Sequence, residues 1–150
     1  MTANSSRPPA NVTEFNVIVG LVFAQLYEQF PVPVGHLHEG AIGVAMGAAA
    51  SSEWSAHALP SGRPLGEVLL HSVKWLSEEG YVRSGGLTPY EQVTLTEKGL
   101  AALNSVPQGL SATVGSSLVK ATSGSERNLS GIGDLVGGMI GGLAKSVLGS

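Results

Sequence analysis

The four histidines are the first residues in this chain whose spacing could support chemistry. His36 and His38 stand two apart with Glu39 adjacent, a spacing that puts both imidazoles on one face of a strand. Zinc wants three or four ligands, and Pro31, Pro33 and Gly35 read as a solvated turn, so the pair predicts surface histidines and no metal site. His57 and His71 have no carboxylate at a diagnostic spacing. Cysteine is absent, which removes thiolate nucleophiles, thiolate metal ligands and disulfides together. The serines follow no nucleophile-elbow pattern. Glu78 and Glu79 are consecutive, hence about 100° apart on a helix and unable to face one another as an acid–base pair. Gly85-Gly86 lacks the following Lys and Ser or Thr of a phosphate loop, and Gly131-x-Gly133 follows no strand, so neither predicts a nucleotide site. Trp75 and Tyr81 read as core anchors rather than platforms for stacked bases. The expectation is a non-enzymatic chain with no catalytic residue, cofactor or metal.

The composition directs attention elsewhere. Of 150 residues, 43% are hydrophobic, 13% are charged and 21 are glycine, against roughly 25% charged and roughly 7% glycine in ordinary soluble proteins. The net charge of −3 exerts no general pull on nucleic acid. Residues 1–11 carry neither the basic run nor the apolar core of a secretory signal and predict a disordered lead-in. Together with the missing cysteine this predicts a cytoplasmic protein, with the membrane periphery as the alternative seat.

Stepping through the periodicity gives the elements. Phe15, Ile18, Val19, Val22, Phe23, Leu26, Tyr27 and Phe30 form one apolar helical stripe, predicting a helix over about 13–30, capped by Asn11 or Thr13 and stopped by Pro31. A short weak helix near 38–49 follows, diluted by Gly40, Gly43 and Gly47, and then a loop through Pro64. Leu65, Val68, Leu69, Ser72, Val73 and Leu76 restore the helical period up to Gly80, where a left-handed residue is cheapest. Tyr81, Val82 and Arg83 then pair with 92–95 across a glycine-bearing loop as a hairpin. Thr96 caps a helix closed before Pro107.

The run Trp75-Leu76-Ser77-Glu78-Glu79-Gly80-Tyr81-Val82, followed by Val93-Thr94-Leu95-Thr96-Glu97-Lys98-Gly99-Leu100, resembles the helix, wing and Leu-Thr-x-x-Gly signature of winged-helix regulators, a helix-turn-helix variant. The chain is also similar to uncharacterised small bacterial proteins that join such a domain to a glycine-rich tail. The resemblance implies a mainly α fold with a small β-hairpin (α+β), the winged-helix-like domain filling 12–107. It also implies that the helix before the hairpin would enter a DNA groove. Its outward residues are Glu67, Leu70, His71, Lys74, Ser77 and Glu78, and the wing adds only Arg83. Residues 1–107 hold five basic and nine acidic side chains, a net −4 that repels phosphate. Should DNA be the ligand, Lys74, His71 and Arg83 would be the contacts. The favoured expectation is a protein-binding module, with a DNA-binding transcriptional regulator as the alternative.

Beyond Pro107, residues 108–130 predict a Ser/Gly-rich linker with a possible short helix over about 109–121, where Leu110, Val114 and Leu118 recur at four-residue steps. Residues 131–150 are different in kind. Ile132, Leu135, Val136, Met139, Ile140, Leu143 and Val147 occupy an arc of about 140° on a helix. Gly133, Gly137 and Gly141 form a ladder expected on the opposite side, and Gly138 with Gly142 forms another. Five glycines at about 1 kcal/mol each keep such a helix from forming alone in water, so something must order it. The G-x-x-x-G spacing suits close backbone approach. Asp134 and Lys145 argue against a membrane span, and the scarcity of basic residues against an interfacial helix. The expectation is that 131–148 docks on a protein partner or on another copy of the chain, with a membrane-associated effector as a further alternative and fold-back onto its own domain as the simplest case.

Overall fold

The computed structural model describes residues 8–107, 109–123 and 128–149, with the side chains of 141–149 outside that description. The first helix, α1, spans Ala10–Gln29. It opens directly after Pro8-Pro9, taking in residues 10 and 11 of the expected lead-in. Neither Asn11 nor Thr13 caps it, because the N–H groups of Val12 and Thr13 donate to the Pro9 carbonyl at 3.0 and 3.1 Å. It ends where Pro31 denies the next amide. A single stripe does not describe it, since the unbroken run from Val17 to Ala24 is buried on every side. A helix apolar all round is a core helix, and α1 is the axis around which the rest is laid.

Strand β1, Val34–His36, follows, then α2, Glu39–Ala45, a 3-10 turn at Trp54–Ala56, and α3, Leu65–Glu78. Gly80 leaves α3 with φ +83°, the left-handed exit expected of it. Strands β2, Val82–Ser84, and β3, Glu91–Leu95, make the hairpin, and α4 covers Glu97–Leu103. The Thr96 hydroxyl caps α4 by accepting from Gly99 N–H at 3.1 Å, and it donates to the carbonyl of Gly80. The sheet is antiparallel in the order β1-β3-β2, pairing Val34 with Val93 and Val82 with Leu95. Those four side chains are buried. β1 is an addition to the sequence expectation, which placed a solvated turn there. Three residues containing a glycine are too short to display alternation, and the strand forms because β3 offers it an open edge.

The segment expected as a linker contains α5, Val114–Thr122, whose cap is Thr113 accepting from Ser116 N–H at 3.1 Å. Val114 and Leu118 are buried, whereas Leu110 lies before the helix and is exposed. The last helix, α6, spans Leu129–Gly149 and is capped by Asn128, whose Oδ1 accepts from Gly131 N–H at 2.9 Å. Both α5 and α6 pack along α1. The crossing point is Gly20, where a Cβ would collide with Ile132 and stand 3.1 Å from Val136 Cγ2 and 3.3 Å from Leu118 Cδ2. Here glycine lets three branched side chains reach the α1 backbone. The chain is thus mainly helical with a small three-stranded antiparallel sheet.

Candidate interaction site

The residues expected to form a docking stripe on α6 are brought together, and what they meet is α1. Ile132, Val136 and Met139 are buried in the core of the same chain, while Leu135 and Ile140 are half-buried against it. Gly133 and Gly137 do not lie opposite this stripe. They flank it against α1, their Cβ positions 3.3 Å from Val17 Cγ2 and 3.2 Å from Asn16 Nδ2, whereas Gly138 looks into open space. The partner that orders this glycine-rich helix is therefore, through Met139, the chain's own first helix. Leu143, Val147 and Gly141 lie where side chains are outside the described residues.

The three candidate DNA contacts, Lys74, His71 and Arg83, are all exposed. Around them the outward face of α3 is otherwise acidic or neutral, with Glu67, Ser77 and Glu78 exposed and Leu70 half-buried. Glu67 accepts from Arg63 at 3.4 Å on the solvated surface, a pair of small energetic weight.

Beside α3 runs a groove of about 610 Å³ that the sequence reading did not assemble. Its apolar surfaces are Trp54 from the 3-10 turn, Leu70 from α3 and Tyr90 from the hairpin loop just before β3, and its rim carries Glu39, Glu67 and His71. Two glycines let the turn wedge between α2 and α3. A Cβ at Gly43 would lie 3.0 Å from Trp54 Cε3, and one at Gly66 would lie 2.7 Å from Ser55 Cβ. Glu39 is held by His36, whose Nε2 lies 2.6 Å from its Oε1. The Tyr90 phenol is pushed up to about 12, first by burial and then by the Glu39 carboxylate. Trp54 and Tyr90 had one sequence signal, as single aromatics in otherwise polar loops, the kind of residue that anchors an interface or fills a pocket.

Among the described residues no group of three or more His, Asp or Glu side chains could hold a metal ion. α1 is long and apolar enough, by length and composition, to cross a membrane, yet Val17–Ala24 and Leu26 lie inside the fold. Sheet and helices together define a mainly helical α+β protein. No known protein family, curated protein or solved structure matches the chain.

Proposed function

We propose that this chain is a non-enzymatic protein-interaction module of winged-helix-like architecture, which receives a partner polypeptide in the groove beside α3 and uses α6 to dock onto α1. The order helix, strand, helix, helix, strand, strand, with the sheet in the order β1-β3-β2, supports the winged-helix reading. The observation that carries the functional reading is the groove itself. On the face where a DNA reader would place arginines and lysines, this chain places Trp54, Leu70 and Tyr90 rimmed by Glu39 and Glu67. Apolar anchors inside a polar rim are the anatomy of a protein interface. The half-buried Leu135 and Ile140 on α6 are where a second copy would add.

A photo-crosslinking residue at position 70 should capture a discrete polypeptide that the same residue at Lys120 on α5 does not, and Tyr90→Ala should reduce the capture. The DNA reading rests on the exposed Lys74, His71 and Arg83. It would be preferred if duplex DNA bound tightly at low salt and Lys74→Glu or Arg83→Glu abolished that binding. Cutting the chain after Asn128 would strip the cover from Gly20, so self-association is better tested on the full chain. Light scattering of wild type against Leu135→Asp should show a lower mass for the variant if α6 joins two copies.

A further inference from the structure

We propose that a second cleft, between the first turns of α1 and the middle of α3, binds a small organic ammonium ion carrying an apolar or aromatic body. The cleft measures about 370 Å³, a size suited to one small ligand. Its walls are the rings of Phe15 and Trp75, set edge to face at 85° with centroids 5.1 Å apart. Its buried polar residues are Glu14 and Ser72, only 5% and 3% exposed, and the exposed Asn11, Arg63, Glu67 and His71 also line it.

Charge selects the ligand. Glu14 Oε2 accepts from Ser61 N–H at 2.7 Å and Oε1 from the Ser61 hydroxyl at 2.6 Å. Both donors are neutral. No basic side chain lies within ion-pair distance of Glu14 among the described residues, and Arg63, which also lines the cleft, is turned to Glu67. A carboxylate oxygen that has accepted one bond can accept another, and a carboxylate lining an aromatic-walled cleft favours a cation over an anion. The same aromatic row already accommodates an ammonium at its other end. Trp75 stacks on Tyr81 at 5.9 Å, and the Lys98 ammonium sits 4.4 Å from the Tyr81 ring centroid. Phe15 and Trp75 line the cleft at the other end of this row, with Glu14 in the same lining.

The test uses the full chain bearing Trp54→Phe, so that Trp75 is the one fluorescent reporter, titrated with 2-phenylethylammonium and with 2-phenylethanol at equal ionic strength. The ammonium should bind at least about tenfold more tightly than the alcohol, the difference a desolvated cation–π contact and charge pair can supply. Glu14→Gln should abolish that preference. Equal affinity, no binding of either compound, or a preference that survives Glu14→Gln would overturn the assignment. Should Glu14→Gln fail to fold by circular dichroism, nuclear Overhauser contacts from the ligand ring to Phe15 and Trp75 decide in the Trp54→Phe chain, and their absence overturns it.

Discussion

Alanine at position 20 sets two opposing effects against each other, and the structure says which wins. Glycine inside a helix is about 1 kcal/mol worse than alanine, so on propensity alone Gly20→Ala would stabilise α1. The new methyl, however, points into the α5–α6 crossing, where it collides with Ile132 and presses on Val136 and Leu118 at 3.1 and 3.3 Å. Ile132 and Val136 are β-branched and stiff at χ1, so they cannot swing clear. Overpacking of this kind costs up to about 3 kcal/mol, leaving a net loss of about 2 kcal/mol after the propensity gain. For a chain of this size that lowers Tm by roughly 4–8 °C. Gly138→Ala is the matched control, helical but with nothing near its Cβ, and should gain up to about 1 kcal/mol. Urea unfolding followed by far-ultraviolet circular dichroism reads both, and hydrogen exchange over 129–140 should accelerate in the Gly20 variant alone. If Gly20→Ala matched or exceeded wild type, or if both substitutions moved the midpoint the same way, α6 would not pack on α1 as described.

Three other outcomes are open to measurement. Thr96→Ala removes the α4 cap and the hydroxyl that donates to the Gly80 carbonyl, and should cost about 1–2 kcal/mol in urea unfolding. Ser61→Ala removes the hydroxyl from the buried Glu14 Oε1 and should cost about 1–3 kcal/mol, whereas Ser77, exposed and holding no such carboxylate, should tolerate the same change. Tyr90 holds its proton to about 12 when folded against 10.0 for a free tyrosine. Above pH 10 the unfolded chain therefore binds fewer protons than the folded one, and stability falls as pH rises toward 12. Ultraviolet difference titration should show a late phenol step that Tyr90→Phe diminishes, the remainder belonging to Tyr81, which burial and the Glu79 carboxylate also raise.

The helices and hairpin were legible because their signals are local. Thr96 and Gly80 announce a cap and a left-handed exit wherever the chain goes, and α3 and β3 follow. β1 was not legible, because three residues carry no period and the strand exists only through its pairing with β3. The apolar stripe of α6 could be read, but its partner could not. A stripe from Ile132 to Val147 looks the same whether it meets lipid, another copy or α1, and the decisive residue, Gly20, sits more than a hundred positions away. The groove escaped for a similar reason. Trp54, Leu70 and Tyr90 come from three elements, and of the glycines that let them converge, Gly43 read only as a weakness in a short helix and Gly66 gave no signal of its own.

The pairing of α1 with α6 also fixes an order of events at the ribosome. α1 is complete about a hundred residues before α6 begins, an interval of roughly 5–20 s at ordinary synthesis rates. Throughout it, a helix apolar enough to pass for a membrane span carries an uncovered seam around Val17 and Gly20. The nascent chain therefore exposes apolar surface that the finished protein buries. Substitutions in α6 such as Val136→Asp should then lower yield during synthesis more than equilibrium stability alone would account for.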